Sequence, residues 1–193
     1  MITLPIEAYT DGSSLHNPGP SGFSYIIRYY IDKEDGMPEL KEIEFKQGFR
    51  LSTNNRMEIM AGIFVLKEIL RLVDEGTLMD ARQINLSSDS EYFCKAVNQN
   101  WLAKWQGNDW MTSAYQGKKS QPVKNKDLWE QIVEIQNELK MKNITLTMTH
   151  VAGHAGHEFN ERCDELARSA ANGAELIADE VYEKLINEYG KSN

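Results

Sequence analysis

Only two cysteines, Cys94 and Cys163, occur among the 193 residues. That excludes a disulfide framework and fits a reducing cytosol. Long apolar runs are missing too, and no stretch approaches the roughly 20 residues of a membrane span. The opening MITLPIEAYTDG has no basic n-region, so no signal peptide is expected. Positive charge is scarce: 21 Lys and Arg stand against 29 Asp and Glu, a net charge of −8. Such a balance argues against a protein that coats nucleic acid by bulk electrostatics. It leaves room for an acidic enzyme whose carboxylates hold metal ions beside a polyanion. There is no internal repeat, low-complexity tract or Gly/Ser linker. With 41% hydrophobic and 26% charged residues, the composition is that of a folded domain, alone or with an appendage. A soluble, cytoplasmic protein is expected, and a monomer.

Residues 3–9 alternate as a strand that should stop at Asp11-Gly12-Ser13, a turn signal. Strands follow at 22–31 and 41–49, joined by a solvated hairpin over 32–39. From Asn55 the spacing of Met60, Ile63, Phe64, Lys67 and Leu70 is that of a helix covering a sheet. A strand at 83–88, helices at 90–97 and 128–139, a strand at 144–151 and a helix at 160–171 complete the pattern, with Asn160 as expected N-cap. The fold class is α/β: a mixed five-stranded sheet, three antiparallel strands then parallel ones, flanked by helices. Residues 1–173 form the expected catalytic domain and 174–193 an acidic helical extension. Its stripe of Ile177, Val181 and Leu185 should pack on the domain or on a partner. Ending the chain near Gly173 should therefore keep activity and lose some stability.

Four carboxylates fall where such a sheet builds sites. Asp11 ends the first strand and Asp89 the fourth. Glu58 lies early in the central helix, in phase with Gly62, Val65 and Ile69. Asp164 lies one turn into the last helix, in phase with Asn160, Ala167 and Ala171. Each has a plain alternative: turn chemistry for Asp11, a helix cap for Asp89, dipole complementation for Glu58, solvation for Asp164. Burying all four is tolerable only if cations neutralise them. Oxygen-only ligands select hard ions such as Mg²⁺ or Mn²⁺. Two such ions roughly 3.5–4 Å apart suit in-line displacement at phosphorus.

Tyr9-Thr10-Asp11-Gly12-Ser13, Asn17-Pro18-Gly19-Pro20, Thr53-Asn54-Asn55-Arg56-Met57-Glu58 and Ser88-Asp89-Ser90 stand in order along the chain. Pro122-Val123-Lys124-Asn125, Asp127-Leu128-Trp129, Gly153-His154-Ala155-Gly156-His157 and Asn160 to Ala167 follow. Together they resemble type 1 ribonuclease H over about residues 3–172. The resemblance implies a ribonuclease H-like fold and endonucleolytic cleavage of the RNA strand of RNA–DNA hybrids, with 5′-phosphate and 3′-hydroxyl ends. It implies two divalent ions (Mg²⁺, with Mn²⁺ as substitute) held by Asp11, Glu58, Asp89 and Asp164, and a proton-handling role for His154. By the same resemblance Asn17, Asn54 and Asn55 read the minor groove and 2′-hydroxyls. Thr53 and Asn125 hold a DNA phosphate, and Trp101 and Trp105 belong to a substrate-gripping protrusion.

Two departures stand out. Glu91 replaces a Gln of some relatives and would repel phosphate. The protrusion carries Lys104 but then Gln106, Gly107, Asn108 and Asp109 where relatives place Lys and Arg; Lys118, Lys119, Lys124 and Lys126 offer partial compensation. The alternatives are a catalytically silent binding module of the same fold, an exonuclease or transposase of the wider fold, and a zinc site from His150, His154, His157 and Cys163. The complete acidic set speaks against the first. The ligand spacing fits no usual closed zinc site.

Overall fold

Side-chain alternation sets the two faces of the central strands. In the computed structural model, which describes residues 4–32, 37–78, 80–114, 119–153 and 156–190, β1 is Ile6–Ser14 and β2 is Gly19–Asp32. Ile6 and Ala8 join Phe23, Tyr25, Ile27 and Tyr29 in the large core, whereas Tyr9 and Ile26 turn to the opposite face with Cys163. β3 (Pro38–Ser52) continues the antiparallel ladder; β4 (Gln83–Ser88) and β5 (Thr145–His150) extend it in parallel from the other edge of β1. The order is β5-β4-β1-β2-β3-β6. The sheet is thus the expected mixed one with a sixth strand added, β6 (Leu176–Ile177), parallel to β3. Two residues are too few to carry a period-2 signal. The hairpin expected over 32–39 falls partly on residues 33–36, outside the described residues.

β1 does not stop at Asp11. Asp11 pairs with Ser24 and Gly12 with Phe23 in the β1–β2 ladder, so the pairing strand overrides the local turn preference of Asp-Gly.

The helices are α1 (Asn54–Asp74), α2 (Glu91–Asn98), α3 (Trp101–Gln106), α4 (Lys126–Met141), α5 (Glu158–Ala171) and α6 (Glu180–Gly190). Thr53 starts α1, its Oγ1 accepting the Arg56 N–H at 3.4 Å. Ser90 starts α2 by accepting from Phe93 N at 3.3 Å. α5 begins earlier than expected, with His157 at the cap, so Asn160 is buried in the first turn and does not cap. α1 buries the phase of Glu58, Gly62, Val65 and Ile69. Phe64 and Lys67, assigned to a buried stripe by spacing, are exposed, and Phe64 stacks beside Phe45 with ring centroids 6.5 Å apart.

Of the two places expected for the tail's apolar stripe, the domain itself is not where it packs. Ile177, Val181 and Leu185 are 49%, 46% and 42% exposed. Among the described residues after 173, the buried one is Asp179, beside Arg50–Glu183 pairing at the surface.

Two backbone crossings place the acidic residues. α1 crosses β1 at Gly12, where an added Cβ would lie 2.3 Å from the Glu58 nitrogen and 2.6 Å from the Met57 carbonyl carbon. α5 crosses β2 at Gly22, where a Cβ would lie 2.5 Å from the Ala167 oxygen. Neither obstacle is the end of a flexible side chain. Gly12→Ala should therefore push α1 off the sheet and cost about 1–3 kcal/mol, the usual range for overpacking. Urea denaturation measures this; an unchanged midpoint would show that the crossing has slack.

Candidate active site

β1, α1 and the end of β4 deliver one carboxylate each to a common point. Asp11 and Glu58 are 4% and 5% exposed and Asp89 is half-buried. One oxygen of each lies within 4.8 Å of the others. Asn54 Nδ2 donates to Glu58 Oε1 at 3.3 Å, but Glu58 Oε2 is buried with no protein partner. Asp89 follows β4 directly; His150 Nε2 lies 3.1 Å from its backbone oxygen, and Gly153 leaves its Oδ2 uncrowded.

Electrostatics record the crowding. Burial, then the Asp89 and Asp164 carboxylates, push the Asp11 carboxyl up to about 8. Burial, Asp11 and Asp89 likewise raise Glu58 well above its ordinary value. A buried, partnerless acceptor among three convergent carboxylates fits a hard divalent cation. Asp11, Glu58 and Asp89 would hold it, and no histidine or cysteine belongs to this group among the described residues.

Asp164, the fourth acid, is near enough to act on Asp11 but stands outside this group. One helical turn on, Arg168 Nε binds its Oδ1 at 2.9 Å. The zinc alternative gains no support: burial pushes the Cys163 thiol up to about 12, which keeps it protonated, and His150 is engaged with Asp89. His154 and Lys118 lie outside the described residues.

Of the expected substrate residues, Asn54 touches Glu58 and Asn17 touches Asn54. Asn17 Oδ1 accepts the Asn54 N–H at 3.2 Å, Asn55 is exposed, and Thr53 caps α1. Asn125 sits at the start of α4 in a left-handed conformation, φ 59°. Trp101 and Trp105 are half-buried, 5.8 Å apart at their centroids, with Trp105 5.6 Å from the buried Trp129. They brace α3 on the core, while Lys104, Gln106, Gly107, Asn108 and Asp109 are exposed. Glu91 is paired with Lys95 at 2.6 Å, which lowers its pKa and offsets its repulsion of a polyanion.

Sequence reasoning gave no role to Arg56, Asp127 and Asp179. Arg56, 1% exposed, binds both Asp127 oxygens at 2.9 and 2.7 Å and Asp179 at 2.6 and 2.9 Å. Little in the sequence signals this, because Arg56 stands in a first turn among Asn54, Asn55 and Glu58, where an arginine ordinarily reads as solvated.

The RNase H family model matches residues 5–172. The chain belongs to the type 1 RNase H family. It is 40% identical to the ribonuclease H of Aeromonas salmonicida over 92% of this chain and 97% of that protein. Among solved structures it resembles LC9-RNase H1, a type 1 RNase H with the type 2 active-site motif, with TM-score 0.67 and 24% identity over 91% of this chain and 75% of that one. It also resembles LC11-RNase H1 in complex with an RNA/DNA hybrid, with TM-score 0.54 and 26% identity over 86% and 96%. The protein is thus an RNase H enzyme of a family that uses divalent metal, and no helix among the described residues is long and apolar enough to cross a membrane.

The raised acids predict how stability responds to pH without metal. The fold keeps protons that the unfolded chain releases near pH 4, so this contribution is complete below about pH 4 and lost as pH rises through about 8. In EDTA, Asp11→Asn should match wild type only below about pH 4 and melt at least about 3 °C higher at pH 9. Added Mg²⁺ should close that gap by stabilising wild type alone. Equal melting temperatures at pH 9 in EDTA would contradict the crowded-acid picture.

Proposed function

We propose that this chain hydrolyses the RNA strand of RNA–DNA hybrids endonucleolytically, with two Mg²⁺ ions per site, leaving 5′-phosphate and 3′-hydroxyl ends. The observation that carries the reading is the buried convergence of Asp11, Glu58 and Asp89 with the partnerless Glu58 Oε2. Support comes from the 40% identity to a ribonuclease H along nearly its whole length and from the likeness to LC11-RNase H1 bound to hybrid. Mg²⁺, or Mn²⁺ in its place, supplies activation of water and stabilisation of the leaving 3′-oxygen.

The chain's own groups do the rest. Asp11, Glu58 and Asp89 form the primary binding set, and Asp164 joins by leaving Arg168. Asn17, Asn54 and Asn55 recognise the RNA strand, because amides both donate to and accept from a 2′-hydroxyl. Thr53 and Asn125 hold a phosphate of the DNA strand, Trp101 and Trp105 brace the protrusion, and His154 handles protons. The two free, buried cysteines suit a reducing cytoplasm, and the protein acts as a monomer.

The test is labelled hybrid, duplex RNA and duplex DNA incubated with Mg²⁺, Mn²⁺ or EDTA. Hybrid alone should be cut, and only with metal. Asp89→Asn should lower the rate by at least about 10³-fold, a loss of about 4 kcal/mol of transition-state stabilisation. A rate within tenfold of wild type removes Asp89 from the metal site. Metal-independent binding with no cleavage would establish the silent module instead, and 2′,3′-cyclic phosphate ends would overturn the mechanism.

The weakly basic protrusion should give a shallow salt dependence. Gln106→Lys with Asn108→Lys adds two cations; Asp109, at φ 48°, is a strained place for lysine. Hybrid affinity in Ca²⁺ should tighten, and the log–log salt slope should steepen by up to about 1.4–1.8. An unchanged slope means that this segment does not meet phosphate.

A further inference from the structure

The buried ion network beside the site is built partly by residues beyond the family model's limit at residue 172. Asp179 is 3% exposed and lies between β6 and α6. Its Oδ2 accepts from Ser52 Oγ at 2.7 Å and from Arg56 Nε at 2.6 Å. Its Oδ1 accepts from an Arg56 terminal nitrogen at 2.9 Å and from the Tyr182 N–H at 3.3 Å. That Arg56 nitrogen also reaches Asp127 at 2.7 Å, and the Tyr182 ring centroid is 5.8 Å from the guanidinium carbon. One carboxylate therefore joins the end of β3, the first turns of α1 and α6 and, through Arg56, the first turn of α4.

These are the turns that carry the proposed phosphate-binding residues. Thr53 precedes Arg56 by three residues and caps the same helix; Asn125 precedes Asp127 by two and begins α4. Although burial opposes the Arg56 charge, its bonds to Asp127 and Asp179 outweigh that cost and raise its pKa. A planar guanidinium held along two edges by carboxylates has little angular freedom. The bridge ties together the turns that carry Thr53 and Asn125, which sit on separate elements.

We propose that Asp179 is a positioning residue for substrate: acting through Arg56, it holds Thr53 and Asn125 at the separation that a phosphate of the hybrid requires. The proposal rests on the hybrid-cleavage reading above. It reverses the expectation that the segment after residue 173 is dispensable for activity. Asp11, Glu58 and Asp89 are not part of the bridge, so its loss should weaken binding and spare the chemical step. A misplacement of about 1 Å in positioning groups can cost about 10²-fold.

The test uses the full chain. Asp179→Asn keeps the shape and removes the charge; KM, kcat and hybrid affinity in Ca²⁺ are measured at a temperature where circular dichroism shows the variant folded. KM and Kd should rise about tenfold while kcat stays within twofold. Asp127→Asn, whose side chain is 26% exposed and less critical to folding, should shift the same two constants and serves if Asp179→Asn does not fold. A lower melting temperature with KM and Kd within twofold of wild type would make the bridge structural only and overturn the proposal, leaving the hybrid-cleavage reading standing. A fall in kcat at unchanged KM would overturn it equally. Wild type that neither binds nor cuts hybrid would overturn the functional reading first, and this proposal with it.

Discussion

Asp11, Glu58 and Asp89 are held together by three segments of backbone that deny Asp11 and Glu58 a way back to water and leave Asp89 half-buried. β1 continues through Asp11 as a paired strand, α1 is pressed onto β1 at Gly12, and Asp89 follows β4 without an intervening loop. The apolar core behind α1 stabilises this arrangement against the acids' own preference to separate and hydrate. Neutral side chains in their place would relax the fold; the sequence instead places its strongest local conflict at one end of an otherwise consistent structure, the usual mark of a functional site. The protonation of Asp11 up to about pH 8 is that conflict expressed as chemistry.

Several cations near these acids are committed to other carboxylates. Arg168 is committed to Asp164, Lys95 to Glu91, and Arg56 to Asp127 and Asp179. The side chain hydrogen-bonded to Glu58 is an asparagine, Asn54, itself bonded to Asn17. Amides contribute directional hydrogen bonds and almost no long-range attraction, so they discriminate between sugars better than they concentrate a polyanion. For a chain at −8, the proposed divalent ions would then contribute to affinity as well as to the chemistry.

Much of this was legible in order and spacing. The strand–helix alternation, the extent of β4 and the pointing of Glu58 toward the sheet follow from periodicity, because one face of each element is buried. The end of β1 was misread, because Asp11-Gly12-Ser13 carries turn chemistry locally while pairing with β2 is a long-range fact. Asn160 has the residue type of a cap, yet burial against the sheet claims it. The separation of Asp164 by Arg168 depends on a side-chain rotamer, which no spacing rule encodes. In the tail, the apolar stripe suggested packing and lies exposed on this chain, whereas nothing in the sequence singled out Asp179 among the acids of the extension. Its role required knowing that Arg56 is buried on a helix distant in sequence.

That tail contact is informative about why charge was used. β6 is two residues long and α6 leaves its apolar stripe in water, so hydrophobic area contributes little to docking the segment. An apolar anchor would stabilise attachment in any of several nearby orientations. A buried guanidinium between two carboxylates adds less net stability, since desolvation offsets most of the attraction, but it tolerates few geometries. With Ser52, Arg56 and the Tyr182 N–H all directed at one carboxylate, the segment is specified in orientation rather than merely attached. A site that must match the spacing of a nucleic-acid backbone has use for orientation of that kind.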